Sequence, residues 1–225
     1  MNDIPDLDRG DETKQRLIAA GLMVFGRDGY EGASTRRLAA EAGANVAAIA
    51  YHFGGKWGLY IAVARQVAQR NGAVVGPLSE RVAAELAAAA PGPDALARIV
   101  ARVIGGLMDG LFTLREDGRA AFLIREMLAP SEAFDVLYEG FFLPLNRMLS
   151  ALAATALGLS PDEPAAVMRG HLLLGTVMPL IAGRVVIERR LGWSEITPER
   201  RRQAIAMAVA AACSSLALPP PDILD

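Results

Sequence analysis

Apolar side chains recur at helical spacing along nearly the whole chain. Leu17, Ile18, Leu22 and Phe25 set the first stripe, which predicts a helix from about Asp11 to Arg27 closed by Gly29. Ser34 then stands as an N-cap, with Leu38 and Ala39 facing inward and Gly43 as the stop. Asn45 caps a second short helix that runs to about His52, and Gly54-Gly55 breaks it. Lys56 opens a long helix expected to end or kink near Gly76-Pro77. After the break at Pro91-Gly92-Pro93, a helix from about Asp94 to Arg115 carries Leu96, Ile99, Val103, Ile104, Leu107, Met108 and Leu111. A shorter helix is expected over Arg119–Leu128, closed by Pro130. Ser131 caps a long one through Phe134, Leu137, Phe141, Leu145 and Leu149, with a kink at Pro144. Ser160-Pro161-Asp162-Glu163 reads as a capping box with proline at the first helical position, opening a helix to about Arg190 that kinks at Pro179. Thr197-Pro198 starts the last helix, which should end near Leu218. No strand signal and no internal repeat interrupts this pattern, so the expected class is all-α.

Two short helices joined by a glycine-containing turn and packed on a longer one form a helix-turn-helix arrangement. Spacing alone does not separate it from other small helical hairpins. Composition leaves room for more than this: 225 residues, 52% hydrophobic, suffice for one large domain or a small domain fused to a larger one. Charge is unevenly spread. Residues 11–70 hold eight basic against five acidic residues, while 71–225 hold fourteen against seventeen. A basic head on an acidic body hints at an anionic partner at the N-terminal end.

The single cysteine, Cys213, excludes a disulfide within one chain and any Cys-rich zinc site, and its apolar surroundings suggest a packed thiol. The first ten residues, MNDIPDLDRG, are acidic and lack an apolar core, so no signal peptide is expected; they and residues 219–225 are expected to be disordered. The longest uncharged run, QAIAMAVAAACSSLALPPP over 203–221, is alanine-rich and ends in three prolines, which fits a buried helix better than a membrane span. A cytoplasmic protein with no membrane partner, no cofactor and no metal site is expected.

The segment GYEGASTRRLAAEAGANVAAIAYHFGGKWGLYIAVA combines a glycine–aromatic pair, a Ser/Thr cap, Leu-Ala, Ala-Gly and an HF..K element. This spacing, over residues 11 to about 65, resembles the DNA-binding head of the TetR family of bacterial transcription regulators. Its NVAAI.YHFGGK variant is most similar in look to the CecR (YbiH-type) branch, and REMLAPSEAF, Arg125 to Phe134, more loosely resembles that branch's C-terminal domain. The resemblance implies a three-helix DNA-binding domain over 11–56 and a larger helical regulatory and dimerisation domain over 57–218. It implies that the second short helix enters the major groove, with Asn45 capping it and Val46, Ala47 and Ala48 toward base edges. Such small side chains can touch thymine methyls but make no bidentate hydrogen bonds, so base reading would rest on Arg36, with Thr35 on phosphate. Tyr51, His52 and Lys56 would contact phosphates, Lys56 at a helix N-terminus whose dipole already favours an anion. Two positions depart from the family pattern: Ala50 replaces a tyrosine or asparagine, and Trp57 replaces a common acidic residue, free either to pack on the first helix or to face the DNA backbone.

In the body, GHLLLGTVMPLIAGRVVI is apolar nearly all round, which calls for complete burial or a second subunit. The last helix, with Ile205, Met207, Val209 and Cys213, is similar. The resemblance implies a homodimer through helices near 162–190 and 198–217, reading a palindromic double-stranded operator. Met108, Phe112, Phe122, Met127, Phe134, Tyr138, Phe141 and Met178 could wall a pocket for a small, mainly apolar effector, with Arg125 and His171 as polar handles; each could equally be plain core. Arg125-Glu126 could instead be an internal ion pair. The expectation is a ligand-responsive regulator, most simply a repressor. The alternatives are a helical interaction module that binds no DNA, and an enzyme pairing His171 with Cys213 or Ser214. No nucleophile elbow, phosphate loop or paired-ligand motif supports catalysis.

Overall fold

The structure, a computed structural model, describes residues 5–88, 91–116, 118–219 and 221, with side chains from residue 10 onward except at 111–116 and 180–181. Leu111 and Phe112 therefore lie outside the described side chains. The described residues contain helices and no strand. They run α1 Pro5–Gly32, α2 Thr35–Glu41, α3 Val46–Phe53, α4 Lys56–Ala88, α5 Pro93–Glu116, α6 Arg119–Leu128 and α7 Glu132–Leu137. A π-helical turn at Tyr138–Phe142 leads into α8 Leu143–Leu157, followed by α9 Pro164–Gly175, α10 Pro179–Ala182, α11 Arg184–Leu191 and α12 Pro198–Ser215. The chain forms two compact units, Met1–Ala73 with Thr113–Phe142 and Val74–Phe112 with Leu143–Asp225.

The first unit is built on α1. Its Leu17, Ile18, Leu22 and Phe25 are buried, as are Leu38 and Ala39 of α2, Ile49 of α3 and Leu59, Tyr60 and Val63 of α4. Residues 5–10, read from the sequence as an unstructured lead, form the first turns of α1, with Pro5 at the position that best tolerates proline. The expected stop at Gly29 is a kink: φ 76°, ψ 178° there breaks the helical path, and three more residues follow. Helix α6, whose ends fall where the sequence places them, packs along α1.

The helix expected to run to about Arg190 with a kink at Pro179 is divided into α9, α10 and α11, with breaks before Pro179 and at Gly183. Three other differences from the sequence reading lie at prolines. Helix α4 continues through Pro77 to Ala88. Pro77 removes only the N–H that would serve the Ala73 carbonyl, and buried Val75 and Val82 hold the helix on either side. The kink expected at Pro144 is displaced to the π-turn before it, since Pro144 cannot donate to the Gly140 carbonyl and the helix widens there. That turn packs closely: a Cβ on Gly72 of α4 would lie 2.5 Å from the Gly140 oxygen. The helix expected at Pro161 starts at Pro164. A second proline holds Glu163 extended, at φ −64° and ψ 137°. Half of the capping box survives, with Ser160 N–H donating to Glu163 Oε1 at 2.7 Å.

The second unit centres on α8 against α9. Their crossing is tight because Gly170 has no side chain; a Cβ there would lie 2.6 Å from the Ser150 nitrogen. Gly170→Val should force these helices apart and cost about 1–3 kcal/mol, read as a lowered thermal midpoint. The run Glu132–Leu157 is long and apolar enough, by length and composition alone, to cross a membrane. Its Leu145, Met148, Leu149 and Leu152 are buried inside the protein, as in a core helix. Cys213 is also buried, and that burial pushes its thiol above the usual range, the reverse of what a nucleophile needs.

Candidate nucleic-acid interface

Local capping explains why two short helices hold their shape. Ser34, extended at φ −102° and ψ 149°, accepts the Arg37 N–H of α2 on its Oγ at 3.2 Å. Gly43, at φ 57°, turns the chain, and Asn45 Oδ1 accepts the Ala47 N–H of α3 at 2.9 Å. Gly54 closes α3 in the left-handed region at φ 71°, its N–H donating to the Ala50 carbonyl at 2.9 Å. Leu38, Ala39 and Ile49 bury the inner faces. The outer faces carry Arg36, Asn45, Val46, Ala47 and Tyr51, all exposed, with Thr35, Ala48, His52 and Lys56 half-buried beside them. Tyr51 is 84% exposed, an unusual position for so large an aromatic ring.

The two adjacent arginines separate. Arg37 Nη1 lies 3.1 Å from Asp28 Oδ2 and is tied to α1. Arg36 has no ion pair or hydrogen bond among the described residues, and its guanidinium is available to a ligand. Lys56 sits in the first turn of α4 with Nζ 4.1 Å from the centre of the Tyr30 ring, a cation–π contact that aims the ammonium without neutralising it. The alternatives for Trp57 resolve toward packing: it stacks on Tyr60 at 5.5 Å and meets Tyr30 edge-on at 5.2 Å. Tyr60 in turn touches Phe25 at 4.8 Å and Phe122 at 5.1 Å.

Beneath this aromatic cluster lies a polar network that the sequence reading missed. Glu126 of α6 is 1% exposed. It accepts the Tyr60 hydroxyl at 2.5 Å and the N–H and Oγ–H of Ser131, each at 3.1 Å. Burial first, and then the hydrogen bond to the Glu126 carboxylate, push the Tyr60 phenol far above its ordinary value, so it stays a donor. The Arg125–Glu126 ion pair considered from the sequence does not form. Consecutive helical residues point about 100° apart, and Arg125 instead donates to the carbonyls of Gly26 and Arg27 at 3.4 and 3.0 Å, just before the α1 kink. Gly58 was also missed. A Cβ there would lie 1.8 Å from the Phe53 carbonyl oxygen, so the tight α3–α4 turn closes over a glycine.

The expected effector residues are more scattered. In the first unit Phe122 is buried against Tyr60, Arg125 is spent on carbonyls, Phe134 stacks on Tyr138 at 6.2 Å, Phe141 is buried, and Met127 and Tyr138 are exposed. In the second, Met108 is buried, Met178 is half-buried, and exposed His171 lies 3.4 Å from the Asn146 amide. Two depressions are lined by other residues: a small one by Arg184, Trp193 and Arg200, and a cleft of about 560 Å³ in the first unit.

Two short capped helices joined through a glycine turn, with exposed side chains beside the N-terminus of a longer helix, define a helix-turn-helix arrangement. Residues 17–63 match the family described as bacterial regulatory proteins, tetR family, and residues 94–217 match the C-terminal domain of the HTH-type transcriptional dual regulator CecR. The chain is 33% identical to the HTH-type transcriptional dual regulator CecR of Shigella flexneri over 194 residues, 85% of this chain and 86% of that one. Over 68 residues it is 38% identical to the HTH-type transcriptional repressor AcnR of Corynebacterium glutamicum, covering 30% and 36% of the two chains. In fold it is similar to a TetR-family transcriptional regulator from Mesorhizobium loti, with a TM-score of 0.58 at 17% identity over 93% of this chain and 97% of that one. The chain belongs to the TetR family of bacterial transcriptional regulators, with a CecR-type C-terminal domain. It is a DNA-binding regulator and not an enzyme.

Proposed function

We propose that this protein is a cytoplasmic, ligand-responsive regulator that binds a palindromic operator as a homodimer, with repression as its simplest mode. The observation that carries the reading is the outer face of α2 and α3, where exposed Val46, Ala47 and Tyr51 stand beside an Arg36 with no partner among the described residues. In this reading Arg36 reads a guanine, Val46, Ala47 and Ala48 touch thymine methyls, and Thr35, Tyr51, His52 and Lys56 hold phosphates. Residues 11–56 form the DNA-binding domain and 57–218 the regulatory and dimerisation domain. The effector is small and mainly apolar, and acts by favouring one spacing of the two heads.

Support for the dimer comes from apolar side chains left uncovered on α9, α11 and α12: Met168, Leu172, Val185, Val186, Leu191 and Met207 are all more than half exposed. Together they exceed what isolated surface residues require. Val209, grouped with them from the sequence, is wholly inside its own subunit and takes no part in that face.

The test compares two variants by fluorescence anisotropy on the operator and on random duplex. Arg36→Ala should cost about 1–3 kcal/mol on the operator and relax preference at one base pair per half-site. Lys56→Ala should weaken both duplexes alike and reduce the log–log salt slope by roughly one. Equal losses for Arg36→Ala on the two duplexes would reassign it to phosphate.

A further inference from the structure

The cleft of about 560 Å³ in the first unit opens between α1, the C-terminal end of α3 and α4. Its floor is apolar, made by Ile18, Phe53, Ile61 and Ala62, and its rim is polar, with Lys14, Arg65, His52, Gln15, Gln66 and Gln69. None of these lining residues is a carboxylate. Lys14 and Arg65 have no ion pair or hydrogen bond among the described residues. Gln66 Nε2 donates to Gln15 Oε1 at 3.2 Å, which fixes the α1 rim to the α4 rim. Two cations without partners on the polar rim of one cleft favour an anion there.

His52 belongs both to this cleft and to the DNA-facing end of α3, so the basic surface is continuous with the base-reading face. On α4 the lining residues Gly58, Ile61, Ala62, Arg65, Gln66 and Gln69 recur at helical spacing, so one face of this helix forms a wall of the cleft over about 16 Å. We propose that this cleft is a second phosphate-binding surface, which takes the DNA backbone flanking each half-site and has Lys14 and Arg65 as its charged contacts. The proposal rests on α3 being the base-reading helix. Phosphate contacts of this kind position the protein and carry no sequence information. The cleft would therefore set how tightly the head holds any duplex that reaches past its recognition bases.

The experiment uses the full chain and two duplexes selected for tight binding, one ending at the outermost recognised base pair and one carrying about six further base pairs on each side. Lys14→Gln/Arg65→Gln keeps a polar side chain at both positions, and an unchanged thermal midpoint confirms the fold. On the longer duplex at low salt the double variant should bind about tenfold more weakly, with the log–log salt slope reduced by roughly 2 for each subunit bound, one for each lost phosphate contact. On the short duplex it should bind like the unmodified protein, and base preference should be the same in both. Unchanged affinity and slope on the longer duplex overturn the proposal. Inorganic pyrophosphate is the second probe. If it binds the unmodified protein but not the double variant while the DNA slope stays unchanged, the cleft serves a free phosphorylated compound, which also overturns the assignment to DNA. Failure of the selection to yield any tightly bound duplex from the folded protein would strike instead at the base-reading role of α3, and the proposal would fall with it.

Discussion

Met168→Asp combined with Leu172→Asp should convert the protein to a monomer and lower operator affinity by about 10²–10⁴-fold, the range that linking two binding heads supplies. The two side chains are 62% and 60% exposed and lie one turn apart on α9, where little of their own subunit covers them. A second copy would cover them, and a carboxylate placed there would have to be desolvated without a partner. Once the heads separate, the second half-site loses the effective concentration that linkage provides, which is the source of the expected factor. Since neither residue is packed within the subunit, the variant should remain helical, with a lower midpoint from lost association alone. Sedimentation and anisotropy read the two effects separately. Val209→Asp is the wrong test of the same idea. Val209 is 0% exposed within its own subunit, so a charge there would unfold the helix bundle before it could drive one copy from the other.

Glu126→Ala should destabilise the protein by about 2–4 kcal/mol, because the Tyr60 hydroxyl and both Ser131 donors lose their acceptor at once. Glu126→Gln keeps one acceptor oxygen and the side-chain shape, and should cost about half as much. The damage should reach the DNA-binding surface. Tyr60 stacks under Trp57, Trp57 abuts Tyr30, and Tyr30 carries the Lys56 ammonium, so loosening Tyr60 frees a phosphate contact at the other end. A double-mutant cycle between Glu126→Gln and Tyr60→Phe should show a coupling of about 0.5–3 kcal/mol, as expected for residues sharing one bond. Additive effects would mean that the two groups act apart.

Much of the head was legible because its signals are local. Ser34, Asn45 and Thr197 are caps whose side chains bond within three residues, and Gly54 needs only its own φ. The ends of α6 were equally clear, set by Gly118 before it and Ala129-Pro130 after it. What the sequence hid depends on partners distant along the chain. Gly170 and Gly72 look like weak points in their helices until the backbones opposite them, at Ser150 and Gly140, are in place. Arg125 and Glu126 are neighbours of opposite charge, yet each is claimed by a different element, which no spacing rule foretells. The prolines misled in different ways: α4 continues through Pro77, the distortion expected at Pro144 lies in the π-turn before it, and Pro164 delays the helix expected at Pro161.

Selection of bound DNA from a random duplex library, followed by counting chains per bound site by sedimentation, tests the central claim most directly. The expected product is an enriched inverted repeat whose half-sites lie about one helical turn, roughly 34–36 Å, or a multiple of it apart. At least two chains should occupy it, and Arg36→Ala should weaken the repeat at one position per half. No enrichment from a folded, dimeric sample, or a single chain on an asymmetric site, would contradict the claim.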